Sequence, residues 1–135
     1  MIADMVAYIK NVNSLLRIYG DNFKTTDYSK KVVWNSNVSF ITKKITVKRI
    51  ADVVYISGRV KFTKMPTNKN GEETVLCTLP EEIRPGDVIP LSVYASVIAE
   101  AKPVVAVSQT KGILFWNGGT ESSTATVYFA GEYCL

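Results

Sequence analysis

The ten residues VVYISGRVKF, at positions 53–62, alternate without a break. Val54, Ile56, Gly58, Val60 and Phe62 fall on one face, and Val53, Tyr55, Ser57, Arg59 and Lys61 on the other. A period of two belongs to an extended strand with one side buried, because successive side chains of a strand point to opposite faces. A helix would scatter these residues around its whole circumference. The same beat runs through Ile45, Val47 and Arg49 against Lys44, Thr46 and Lys48, and through Ala125, Val127, Phe129, Gly131 and Tyr133 near the end of the chain. One-sided burial of this kind is the mark of an antiparallel sheet.

Turn chemistry separates these segments. Asn35-Ser36-Asn37 breaks a β-branched run, and Asn70-Gly71 sits in the polar stretch MPTNKNGEE. Prolines 80, 85 and 90 make LPEEIRPGDVIP an ordered loop or a sheet edge, since proline donates no ladder hydrogen bond. Asn117-Gly118-Gly119, between GILFW and the closing strand, predicts a hairpin. With ETVLCTL, LSVYASVIAE and KPVVAVSQT added, seven or eight strands follow one another over roughly 100 residues, the spacing of a sandwich or barrel. The expected fold is mainly β: an antiparallel, jelly-roll-like β-sandwich head over residues 32–135.

The front end obeys a different period. Ile2, Met5, Ile9, Val12, Leu16 and Tyr19 recur in steps of three and four, up to Gly20. That beat averages 3.5 residues, the seam of a left-handed coiled coil. An isolated helix of this length is marginal in water and needs a partner surface. It either zips with identical helices or folds back over its own sheet. The strict alternation favours the bundle, and Val6, Leu15 and Ile18 widen the stripe in the direction of three strands or of contact with the head. Residues 1–21 are therefore expected to be a helical stalk that gathers a homotrimer, and residues 22–31 a linker or extended lead-in.

Composition removes several functions. The 135 residues contain no histidine, the commonest general base and metal ligand, and only two cysteines, Cys77 and Cys134. These two either pair or serve as small hydrophobes. Neither metal site nor cofactor is expected. No apolar run reaches the roughly 20 residues of a membrane span, and Asp4 stands where a signal peptide carries positive charge. The chain is expected to be soluble when isolated, with no membrane partner. Residues 22–70 hold eleven Lys/Arg against two Asp, a net of +9, while residues 71–135 hold three against eight acids, a net of −5. Aromatics do not interleave with those lysines and no nucleic-acid motif is present, so the expectation is that the two halves interleave in one fold and no nucleic acid is bound.

With the strands placed, ITVKRIADVVYISGRVKFTK, LCTLPEEIRP and the closing GEYCL resemble the C-terminal head of bacteriophage receptor-binding proteins and tail fibres. The matching elements are the strand Val53 to Gly58 and the loop Leu79-Pro80-Glu81-Glu82-Ile83-Arg84-Pro85. The chain departs from the family pattern at Ala51-Asp52, where Gly-Asn is common, and at Glu82-Ile83, where Gly-Tyr is common. The resemblance implies a head at the end of a trimeric stalk at a virion's tail tip. It also implies non-covalent binding of a host cell-wall saccharide or glycerol-phosphate polymer, and tail or baseplate proteins as further partners. The alternative is a trimeric fibre or baseplate component that makes protein contacts only.

Saccharide sites pair an aromatic face with planar polar groups that fix the hydroxyls. Trp116, Asn117 and Glu121 cluster around the glycine-rich tip WNGGTE. Trp116 also ends the apolar run GILFW, which suits a core residue equally. Trp34, before the Asn35-Ser36-Asn37 turn, offers the same choice. Arg84 and Asp87 flank Pro85 and suit a sugar, a phosphate or a solvated ion pair; Tyr94 is a further candidate. No catalytic residues are expected: Glu72-Glu73 and Glu81-Glu82 are adjacent pairs whose side chains diverge on extended backbone, and no nucleophile elbow or phosphate loop occurs.

Overall fold

A computed structural model describes residues 4–13, 24–68, 71–96, 101–119 and 125–135. Among them are ten strands: β1 Thr25–Asp27, β2 Val33–Trp34, β3 Phe40–Ile50, β4 Val53–Phe62, β5 Thr74–Thr78, β6 Ile89–Pro90, β7 Ser92–Ser96, β8 Pro103–Ser108, β9 Gly112–Asn117 and β10 Thr126–Cys134. They form two antiparallel five-stranded sheets, in the orders β1-β3-β4-β10-β7 and β2-β5-β9-β8-β6. The alternating residues of β4 and β10 point inward as their sequence demands: Val54, Ile56, Val60, Phe62, Val127 and Phe129 are buried. They meet Leu76, Val105, Val107, Ile113 and Phe115 from the second sheet in one core. Phe62 packs on Phe115 across that core, ring centroids 5.1 Å apart. Gly58 belongs to the same inward row because the Phe129 ring lies on its backbone; a Cβ there would sit 2.1 Å from Phe129 Cζ.

β3 and β4 form a hairpin closed by Ala51-Asp52, with Ile50 opposite Val53. Ala51 holds a positive φ of 51°. Arg49 braces the turn: its Nε donates to the Ala51 carbonyl at 2.8 Å and its guanidinium lies 3.5 Å from Asp52. β8 and β9 form the second hairpin, which ends on Gly112 at φ 103°.

The hairpin expected around Asn117-Gly118-Gly119 does not form. β9 lies in the second sheet between β5 and β8, whereas β10 lies in the first between β4 and β7. The physical reason is Asn117, which is completely buried. Its backbone N–H donates to Asn68 Oδ1, and Asn68 N–H donates back to the Asn117 carbonyl, both at 2.9 Å. Its Oδ1 accepts from the Lys102 and Gly119 N–H groups at 2.9 and 3.0 Å. These bonds fasten the end of β9 to the segment before β5, so the chain leaves for the other sheet instead of doubling back.

Residues 24–31 hold more order than a bare linker. Thr25–Asp27 pairs with Lys48 to Ile50 of β3, and Tyr28 is buried, its N–H bonded to the Val47 carbonyl at 2.8 Å. The extended lead-in thus adds an edge strand to the first sheet. The proline-rich loop is ordered as expected: a 3-10 turn at Glu81–Ile83, then Pro90 on the edge strand β6.

A helix, α1, covers residues 4–13. Met5 and Ile9 are 64% and 52% exposed, Val12 is half-buried, and none of residues 4–13 is buried against the sandwich. Ile2, Leu16, Tyr19 and the expected stop at Gly20 lie outside the described residues. The basic and acidic parts of the chain do interleave: β7 and β10 complete the sheet begun by β1, β3 and β4. Cys77 is buried on β5 and Cys134 exposed on β10, and both thiols are free. No helix among the described residues is long and apolar enough to cross a membrane.

Candidate functional site

The strand register lays out the outer face of the first sheet as a grid. Its middle row is Thr46–Ser57–Ala130–Ser92, one residue from each of β3, β4, β10 and β7. Every member is small. The row on one side is Lys44–Arg59–Tyr128–Tyr94, and on the other Lys48–Tyr55–Glu132. Side chains of one row stand about two residues, or roughly 7 Å, from the next along each strand. Small residues between large ones leave a trough that crosses four strands.

Two hollows of about 520 and about 290 Å³ occupy this trough and share Ser57, Ser92 and Ala130. Tyr55 and Tyr128 stand on opposite walls, 41% and 40% exposed, and Tyr94 is 73% exposed. The Tyr94 and Tyr128 ring centroids are 6.0 Å apart. The Arg59 guanidinium lies 5.6 Å from the Tyr128 ring centroid, within cation–π range, which steadies that wall. The floor supplies three hydroxyls and the walls three phenols, a carboxylate and several cations. At the far end Asp27 stands opposite Lys48. Its carboxyl is held below the ordinary value, chiefly by hydrogen bonds from Ser29, with Lys48 adding a smaller attraction.

Of the residues singled out in the sequence, Tyr94 joins this trough. Trp116 stands on the outer face of the second sheet, 37% exposed. There it borders a groove of about 280 Å³ with Val88, Val104, Ala106 and Leu114. Its ring lies against Gly118, whose Cβ would meet it at 2.2 Å. Asn117, beside it, faces inward, and its hydrogen bonds fasten the fold. Trp34 packs edge-on against Phe40 at 5.4 Å, with Lys43 Nζ 5.7 Å from its ring centroid. Arg84 donates to the carbonyls of Leu79 at 3.0 Å and Thr110 at 3.3 Å, while Asp87 accepts from its neighbour Val88 N–H at 2.7 Å. The two therefore secure separate parts of the loop. Glu121 lies outside the described residues. The structure does not bring Trp34, Trp116, Arg84 and Tyr94 together: Trp116 and Tyr94 are on opposite outer faces of the sandwich.

The trough residues Tyr55, Ser57, Tyr128, Ala130 and Glu132 carry a weak signal in the sequence. They are the outward half of the alternation, which reads as solubilising surface one strand at a time. Only the register shows that the small ones line up and the large ones flank them.

No protein-family model matches the sequence, and no curated protein matches it. Among solved structures, the crystal structure of the head domain of phage bIL170 superposes with a TM-score of 0.54 at 19% identity. The match covers 84% of this chain and 98% of that one. That structure is described in connection with the receptor binding domains of lactococcal phages. The chain shares the fold of that head domain. The shared fold thus agrees with the likeness carried by residues 53–58 and 79–85, which lie in β4 and in the loop around the 3-10 turn.

Proposed function

We propose that the chain is a phage receptor-binding head that holds a host cell-surface saccharide without chemical turnover. The observation that carries this reading is the fold match, which spans nearly the whole of the bIL170 head domain. Three features support it further. The first sheet offers a concave outer face with aromatic walls and a hydroxyl floor. The apolar stripe of α1 is exposed in the single chain, as a helix awaiting identical partners would be. The outer face of the second sheet, with Val104, Leu114 and Trp116, has the apolar character of a surface between protein subunits. A homotrimer then presents three sites at the tail tip of a virion, and weak single contacts add through avidity. Tail or baseplate proteins hold the other end of the stalk.

The chain is immobilised on a sensor to test this, and polysaccharide extracts from a panel of bacterial strains are passed over it. Saturable binding to the extracts of some strains, with no shortening of the glycan afterwards, is expected. Shortened chains would make the protein a depolymerase. No binding to any extract, together with capture of a tail protein, would favour the purely structural fibre component.

A further inference from the structure

We infer that the trough across the first sheet is a saccharide site complete within one protomer, and that it takes an acidic sugar chain laid across the strands. The inference rests on the receptor-binding reading and assigns its location and ligand chemistry.

The trough's direction follows from the register. Its floor runs from Thr46 to Ser92 over four neighbouring strands. At about 4.8 Å per strand the floor is roughly 14 Å long. A floor of that length suits an extended run of sugar rings; a compact ligand would not fill it. The floor stays low because its side chains are Ser, Thr and Ala, while Tyr55 and Tyr128 rise on either side. A pyranose ring presents C–H bonds on its faces and hydroxyls around its rim. The tyrosine rings suit the faces, and Ser57, Ser92 and Glu132 suit the rim.

Charge decides between neutral and acidic sugars. Lys44, Lys48 and Arg59 stand in the rows flanking the trough, against Asp27 and Glu132. Asp27 already faces Lys48, which leaves the cations in excess along the trough. An anionic repeat carrying carboxylate or phosphate complements them, and its binding weakens with added salt because these charges are solvent-exposed. The groove beside Trp116 offers no such complement. Its lining is Val88, Val104, Ala106, Leu114 and Trp116, with Glu73 as its acid.

The experiment uses an array of purified bacterial surface polysaccharides, neutral and acidic, probed with the intact chain and two variants. Ser57→Trp fills the floor from an exposed position, and Tyr128→Ala removes a wall. Melting curves confirm that each is folded. The intact chain is expected to bind acidic members, less at high salt. Ser57→Trp is expected to lose binding at least about tenfold and Tyr128→Ala about fivefold to tenfold. Undiminished binding by folded Ser57→Trp and Tyr128→Ala would place the site elsewhere and overturn this inference while the receptor reading stands. Preference for neutral members would overturn the charge assignment. Failure of the intact chain to bind any member would overturn the saccharide reading itself.

Discussion

Phe62 of β4 and Phe115 of β9 meet across the sandwich with ring centroids 5.1 Å apart and planes at 51°. They join the two sheets at one end of an aromatic row. Phe40 stacks on Phe62 at 5.6 Å, and Trp34 abuts Phe40. Phe62 is fully buried, so Phe62→Ala removes both transfer energy and packing and leaves a cavity. Urea unfolding is expected to show a loss of about 3–5 kcal/mol. A loss below about 1 kcal/mol would mean that the sheets are not held together here.

Ala51 closes the β3–β4 hairpin at φ 51°, where a Cβ is sterically unwelcome. Glycine is at home in that conformation. Ala51→Gly is therefore expected to stabilise the head, by about 1 kcal/mol once the greater freedom of glycine in the unfolded chain is set against the relieved strain. Chemical denaturation measures it, and a clear destabilisation would contradict the turn geometry.

What could be read in advance was whatever local pattern dictates. β4 and β10 follow from alternation alone, because Val54, Ile56, Val60, Phe62, Val127 and Phe129 leave no other way to bury one face. The loop around prolines 80, 85 and 90 follows from missing donors. The path after β9 does not, since Asn117-Gly118-Gly119 is good hairpin chemistry until the bonds between Asn117 and Asn68, 49 residues apart in sequence, are known. Long-range polar locks of this kind leave no periodic trace. The trough is hidden for a related reason. Tyr94 stands out by itself, yet its relation to Tyr128 and Ser57 exists only in the register of three strands.

Burial sets the response to alkali. The Cys77 thiol is pushed up from about 9 to about 12, and the Tyr133 phenol from about 10 to about 12, both by desolvation. Each folded-state value lies above its unfolded one, so the folded chain keeps protons that the unfolded chain releases. The contribution of these two groups is then complete below about pH 9, and is lost as pH rises through the range up to about 12. Urea midpoints across that range check the slope. Cys77→Ala is expected to flatten it beginning at the lower end, whereas an unchanged slope would remove the thiol from the explanation.

Tyr133 also ties the last strand to the proline loop, because its hydroxyl donates to the Ile83 carbonyl there. Tyr133→Phe leaves that buried acceptor without this donor. A loss of about 1–3 kcal/mol is expected in denaturation, with saccharide binding retained because the residue points away from the trough. An unchanged stability would show that the bond contributes little.

The exposed stripe of α1 predicts assembly. Light scattering of the intact chain should give three times its 14.9 kDa mass. Met5→Glu combined with Ile9→Glu places charge on the seam and is expected to return the mass to one chain, with the melting of the head retained. A single-chain mass before substitution would remove the trimer and its avidity.

The central claim is that this head recognises a bacterial surface glycan. Adsorption of the labelled, intact chain to whole cells tests it most directly, measured on the same strain before and after chemical removal of surface polysaccharide. Saturable adsorption that disappears with the polysaccharide is predicted. Adsorption that persists undiminished on stripped cells would contradict it.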